Sequence, residues 1–351
     1  MIIAQEFETL IQAGSVSGSY FQQQGEIDLT EIMRQSKKIC DKWETYYCDN
    51  EGEVNFKLTD DMEFIYKTTD GQIRKSDITQ YAFGQLCTRL GVPATYVQKC
   101  FENGKASLAV ENFKAWANDC EKRFLIREQD GVVRAVLSDS YSMFDSHKVL
   151  RTLHNTVDMG KYKCVGAYLA EDSLNVRLVD RKPLDVSKKI DPSPIYSGTV
   201  ISSSDVGRKA LSMSYFLFRQ ICNNGMTVTD KGGTLFRQAH IGANMNSGKI
   251  ELFNRAFMDI DTLNAGAIEN MIKSKEIKLG ELELQMYLEK AKRELKLSQK
   301  AQEELTSLIE GTYDRTRWGV LNGITELAQN YTLETRIAFE TFAGNAMMKA
   351  S

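Results

Sequence analysis

Apolar and polar residues alternate with a period of two through the middle of this chain and with a helical period towards its end. The alternation is clearest over residues 121–150, EKRFLIREQDGVVRAVLSDSYSMFDSHKVL. Phe124 and Ile126 fall on one parity and Arg123, Leu125 and Arg127 on the other; beyond Asp130-Gly131, Val132, Arg134 and Val136 alternate with Val133, Ala135 and Leu137. Asp-Gly between two alternating runs predicts a tight hairpin, because a type I′ turn needs positive φ at both central residues. Period-two alternation gives such a hairpin one buried and one outward face, and the outward face is expected to hold its arginines in a row. A polar, aromatic-bearing connection follows, and Asp145 or Ser146 is expected to cap a helix running through His154.

The same pattern predicts a short strand at Phe56–Leu58 and a hairpin of Met62–Tyr66 with Gln72–Ile78 across Thr69-Asp70-Gly71. It predicts another of Tyr162–Tyr168 with Leu174–Val179. Further strands are expected at Ile195–Ser202, from Ala210 to a turn at Asn223-Asn224-Gly225, and at Leu235–Ile241. In the run Tyr215–Phe218 the alternation buries Phe216 and Phe218. Helical signals lie on both sides of this region. One helix is expected to open at Asp28 and continue towards Tyr47. A second starts at Ser76 or Thr79 and is closed by Gly91, Pro93 opens a third, and a fourth covers ASLAVENFKAWANDCEK. After Ala243 the chain reads as helices. Leu284, Leu288, Ala291, Leu295, Ala301, Leu305 and Leu308 step mostly by three and four, which predicts one long amphipathic helix within residues 281–310, passing over Ser298. Its narrow stripe fits either core packing or a coiled-coil contact between subunits.

These elements define an α+β protein: an antiparallel, hairpin-rich β core with flanking N-terminal helices and a helical C-terminal region. The divisions are a flexible arm over residues 1–30, an N-terminal α/β segment over 31–120, a basic β-rich core over 121–250 and a helical region over 251–351. The 42% hydrophobic and 26% charged content is that of an ordinary soluble protein. No apolar run is long enough to span a membrane, and the first residues lack the basic-then-apolar order of a signal peptide. The 7 cysteines are scattered without a CxxC pair, as expected of free thiols in a reducing cytoplasm.

The net charge of −3 hides an asymmetry: residues 121–250 hold 19 Lys and Arg against 13 Asp and Glu, and the rest of the chain is acidic. A basic middle segment points to a polyanionic partner. Enzyme templates fail. GxGxxG and GxxxxGK[ST] are absent, and 242–250, GANMNSGKI, is one residue too long for a phosphate loop and has Ile250 where a hydroxyl is needed. HExxH, GxSxG and Cys/His ligand sets are missing too, so no cofactor or metal is expected. A single-strand binder needs a basic groove for phosphates and aromatics on which bases stack. The candidates are Arg123, Arg127, Arg134, Arg208, Lys209 and Arg237 for phosphates and Tyr141 for stacking. Two rivals stand beside this. One is a protein-binding module, such as an inhibitor of a host defence system. The other is an enzyme with an unfamiliar site around Asp139, Tyr141 and His240.

Several segments resemble a phage- and plasmid-borne family known as domain of unknown function 932. VRAVLSDSYSMFDSHKVL is similar to its signature of Leu or Val followed by Ser-Asp-x-Tyr. Residues 219–225 are similar to its strand ending in an Asn-Gly turn, and 236–240 to its Arg-His segment, although here Arg237 and His240 are separated by two residues. LGVPATYVQKC resembles its upstream helix pair. WGVLNGITELAQN and FETFAGNAMMKAS, with Trp318, Asn322 and Glu326, resemble its ending. The resemblance spans roughly residues 60–351. It implies a distant relative of phage single-strand annealing proteins, which assemble around DNA without ATP. The expected partners are therefore single-stranded DNA and further copies of the chain, in the cytoplasm of a host cell, with annealing or recombination as the outcome.

Overall fold

The structure is a computed structural model that describes residues 19–48, 56–59, 63–170, 172–186, 191–219, 224–230, 233–241, 247–331 and 333–349. It contains two largely antiparallel sheets, helices near the N-terminal end and a helical C-terminal region, as the hydrophobic pattern predicts.

The smaller sheet has 6 strands: β2 (Trp43–Cys48), β3 (Phe56–Leu58), β4 (Phe64–Lys67), β5 (Ile73–Ile78), β6 (Phe124–Gln129) and β7 (Val132–Ser138). Their order is β2-β6-β7-β5-β4-β3, with only the β5–β7 pair parallel among the described residues. The β6–β7 hairpin turns at Asp130 and Gly131, whose φ values of 51° and 77° are those a type I′ turn requires. Helices α2 (Gln80–Leu90), α3 (Ala94–Glu102) and α4 (Ala106–Asn118) cover one face. Phe83, Leu86, Val97 and Phe113 pack there on Phe64, Phe124, Ile126 and Val136. Gly91, at φ 72°, closes α2 in the left-handed region where glycine is least strained.

The larger sheet has 7 strands: β1 (Ser19–Ile27), β8 (Tyr162–Ala170), β9 (Leu174–Asp180), β10 (Ile195–Ser203), β11 (Leu211–Arg219), β12 (Asn224–Val228) and β13 (Thr234–Gln238). The order is β1-β8-β9-β10-β11-β12, and β13 pairs with the other half of β11. One face carries Leu169, Val176, Ile201, Met213 and Leu217 into a core shared with α1 (Leu29–Cys40), α5 (Ser146–Thr156) and α6 (Ser247–Glu276). Helices α7 (Glu281–Leu295), α8 (Gln299–Gly311) and α9 (Arg317–Leu327) form a third core with α10 (Leu333–Met348). Between strands and C-terminal helices, α10 lies against β12 so closely that a Cβ on Gly344 would stand 2.3 Å from the Thr227 carbonyl oxygen. Arg177 of β9 meets Glu340 of α10 with two bonds, of 3.1 and 2.7 Å, and Arg336 joins at 3.0 Å. All three side chains are buried, so this triad ties the last helix to the sheet through paired charges.

Four sequence expectations change. The helix from Asp28 ends at Cys40, and Trp43–Cys48 is a strand. Residues 19–27 of the expected flexible arm form the edge strand β1; residues 1–18 lie outside the described residues. Asn224 and Gly225 begin β12 instead of making the turn, and Asn223 lies outside the described residues. The long helix of 281–310 is two helices, because Lys296 takes a left-handed conformation (φ 53°) and the Ser298 side chain caps α8 through the Ala301 amide. The stripe is used internally, with Leu284, Ala291, Ala301 and Leu305 buried against Val320, Ile324 and Phe339.

Candidate nucleic-acid interface

The loop of residues 204–209 joins β10 to β11 and carries Arg208 and Lys209. It first closes on itself: the Ser204 hydroxyl accepts from the amides of Val206 at 3.3 Å and Arg208 at 3.0 Å. Such local acceptance by serine is what holds a tight turn. Gly207 has φ 77°, and a Cβ there would stand 2.7 Å from a Leu137 methyl, so only glycine fits without displacement.

Side chains from the smaller sheet and its surroundings then grip the loop. Arg127 of β6 donates to the Asp205 carbonyl oxygen at 2.6 Å, and Gln85 of α2 donates to the Val206 carbonyl at 2.9 Å. Gln85 also accepts from the Val136 amide at 2.9 Å. The Tyr141 hydroxyl donates to the Ser204 carbonyl at 3.1 Å. The Asp205 carboxylate accepts from the amide and hydroxyl of Ser146, both at 2.8 Å, at the start of α5. The carbonyls of Ser204, Asp205 and Val206 are thus all satisfied by side chains from other elements.

The charges inside this clamp are two carboxylates and one guanidinium. Arg127, 1% exposed, makes two bonds to Asp145, of 2.6 and 3.1 Å, and lies 4.4 Å over the Trp43 ring. Burial works against the Arg127 charge, but the Asp145 and Asp205 carboxylates outweigh it and hold it above its usual range. Burial and the neighbouring Asp145 push the Asp205 carboxyl up, against the pull of Arg127 and Ser146. The Tyr141 phenol is likewise raised by burial.

Tyr141 stacks on His240 with ring centroids 5.2 Å apart and planes 15° from parallel. The two segments are laced together by the Ser142 amide, which donates to the His240 carbonyl at 2.9 Å, and by a bridge between Tyr141 and Ile241. Burial lowers the His240 pKa, favouring the neutral ring. Its Nδ1 lies 3.2 Å from the Ser142 carbonyl and its Nε2 3.5 Å from the Ser203 hydroxyl. A neutral ring donating from Nδ1 turns Nε2 to the serine as an acceptor. Ser203 is fully buried, and the cavity beside His240 has room for about one water. Asp139, the third residue of the enzyme rival, is exposed.

The phosphate candidates divide. Arg127 is no surface residue: both faces of β6 are covered, and its guanidinium is spent on Asp145 and the loop. Tyr141 is no open stacking surface, because its ring is held between His240 and the cluster of Leu137 and Val206. Tyr168, Tyr215 and Phe218 are core residues, as is Phe216. Arg123 is exposed and lies 4.7 Å over the Tyr47 ring, while Arg134 is half-buried on β7. Arg208 is exposed and ion-paired to Asp172, and Lys209 is half-buried at the base of β11. Arg237 is exposed on β13, opposite Ser212. Lys209 lies just before β11 begins at Leu211, the end of that strand at which Ser212 pairs with Arg237. Arg208, Lys209 and Arg237 are therefore gathered at one end of the larger sheet, whereas Arg123 immediately precedes β6 of the smaller sheet. Sequence reasoning missed Ser204, Asp205 and Gln85. The small, polar SSSDVG run with its glycine was the available signal for a loop built from side-chain acceptors.

A mixed α+β protein whose buried polar clamp holds a basic loop is the class that fold and site define. Residues 133–345, more than half of the chain, match the family described as Domain of unknown function (DUF932), and the chain belongs to that family. The match is narrower than the resemblance over 60–351, and the α2–α3 pair lies outside it. No curated protein and no solved structure matches the chain. The segments that carry the resemblance meet in space: Tyr141 and His240 stack beside the loop. Trp318 donates from its indole nitrogen to Asp191 at 3.1 Å, and Asn322 donates to the Trp318 carbonyl at 2.8 Å, so that motif secures α9.

Proposed function

We propose that this protein binds single-stranded DNA through the Arg208–Lys209 loop and Arg237, and that it promotes strand annealing without a nucleotide cofactor. The observation that carries this reading is that Arg208 and Lys209 stand on a loop that Arg127, Gln85, Tyr141 and Ser146 hold in place, with Arg237 on the adjacent strand β13. A fixed loop meets phosphates without first losing conformational entropy. Sequence-independent contact to phosphates suits annealing, in which bases must stay free to pair. The family resemblance, which implies a distant relative of phage annealing proteins, supports the same reading, with several copies of the chain along one strand.

The test is fluorescence anisotropy with a labelled single strand of roughly 40 nucleotides at low and moderate salt. Phosphate contacts release counterions, so affinity should fall steeply with salt. Arg208→Glu with Lys209→Glu should weaken binding and flatten that dependence by about one unit of slope for each phosphate that is no longer neutralised. Absence of binding at low salt rejects the reading. The partner would then be sought among proteins.

A further inference from the structure

Helices α3 and α4 present a second surface whose chemistry the basic loop lacks. α4 buries Ala109, Phe113 and Ala117 against the smaller sheet. Lys105, Leu108, Asn112 and Trp116, spaced by three, four and four, therefore line another side of the helix. Trp116 is 54% and Leu108 51% exposed. Tyr96 of α3, 40% exposed, is joined to this stripe by Asn112, whose side-chain nitrogen donates to the phenol oxygen at 2.9 Å. That bond fixes the phenol by its edge and leaves its faces uncommitted.

The rings of β2, by contrast, are covered by cations. Trp43, Tyr46 and Tyr47 of β2 lie beneath Arg127, Arg74 and Arg123, at 4.4, 4.2 and 4.7 Å. Among the described residues, neither Tyr96 nor Trp116 stacks on another ring or lies beneath a cation. Lys99, one turn from Tyr96, and Lys105 are both exposed, and among the described residues neither makes an ion pair. Glu111 is turned about 100° from Asn112 around the helix, and Asp119 continues the stripe one turn past Trp116, at the end away from Lys105. Open aromatic faces flanked by unpaired ammonium groups are complementary to a flat base attached to a phosphate.

We propose that Tyr96 and Trp116 form a stacking platform for unpaired nucleobases, with Lys99 and Lys105 meeting the adjoining phosphates. This inference rests on the single-strand reading above and adds base contact to it. An apolar protein partner would have two lysines to desolvate, which disfavours it as the occupant.

The experiment follows tryptophan emission and anisotropy together during titration with a thymidine oligonucleotide of roughly 40 residues. Trp43 and Trp318 are screened, by Arg127 and by burial, so quenching should come from Trp116 and vanish in Trp116→Ala. That variant should bind about tenfold more weakly, the effect of removing one stack. An abasic strand of equal charge should bind without quenching. Binding without quenching, or quenching that persists in Trp116→Ala, overturns the platform and leaves the basic-loop reading standing. Absence of binding overturns both. Saturable binding to anionic phosphatidylserine vesicles that is lost in Trp116→Ala, with strand binding unchanged, also overturns it and assigns the surface to a lipid headgroup.

Discussion

Removing the guanidinium of Arg127 would leave Asp145 and Asp205 facing each other with no cation between them, and would free a loop carbonyl. Breaking a buried pair in this way costs about 3–5 kcal/mol, since the partner charge stays behind without compensation. Arg127→Ala should therefore lower the urea-unfolding free energy by about that amount; a loss below about 1 kcal/mol would mean that the clamp carries little. Asp205 makes a distinct prediction through its proton. Its carboxyl is pushed up by burial and by Asp145, so the folded protein keeps this proton to a higher pH than the unfolded chain. Between the ordinary aspartate range, near about pH 4, and the raised value, the native state binds more protons and this group's contribution to stability falls as pH rises. Asp205→Asn has no such proton. The difference between variant and wild type should shift in the variant's favour as pH rises through that window and then level off, as read from paired urea titrations. A difference independent of pH rejects the assignment. None of this is legible at Arg127 itself. Alternation places it on an outward face, but which side of a strand meets solvent depends on what packs there, and β6 is covered on both sides.

Elements are most legible where a local rule acts alone. The Asp130-Gly131 turn and the Gly91 helix end follow from positive φ, which the sequence within a few residues dictates. The break between α7 and α8 is equally local but is hidden by the apolar stripe, which continues in step across it. Ser298 reads as a helix interior position on that stripe, although a serine ahead of a new apolar run is also a cap signal. Its side chain accepts from the Ala301 amide at 3.3 Å, and Lys296 bends the chain at a conformation that costs a residue with a Cβ. Ser298→Ala should destabilise by about 1 kcal/mol. Lys296→Gly should gain roughly 0.5–1 kcal/mol by relieving the left-handed backbone. Thermal unfolding followed by circular dichroism reads both. A single continuous helix would give the opposite order, with glycine at 296 destabilising and alanine at 298 neutral or better.

At the scale of the molecule, two sheets with separate cores are joined where side chains from one hold a loop of the other. Such a joint cannot be seen in the sequence, because Gln85, Arg127, Tyr141 and Asp205 lie far apart along the chain and meet only once both sheets are built. The basic residues of the middle segment are legible as a charge excess, but the division between those that reach solvent and those that hold the joint is not. That division yields a functional prediction. Tyr141→Phe removes the bond from the phenol to the Ser204 carbonyl while leaving every charge in place. If Tyr141 positions the loop, strand affinity should fall several-fold as the loop loosens, and the salt dependence should keep its slope, since the number of phosphates neutralised is unchanged. Arg237→Glu does the reverse: the clamp is untouched, but one phosphate keeps its counterion, so the slope should decrease by about 1 or more. Measured over a salt series, the two variants separate a residue that holds the surface from one that forms it. Equal slopes in both would place Arg237 outside the interface, and a reduced slope in Tyr141→Phe would mean that the loosened loop no longer brings Arg208 and Lys209 to the strand.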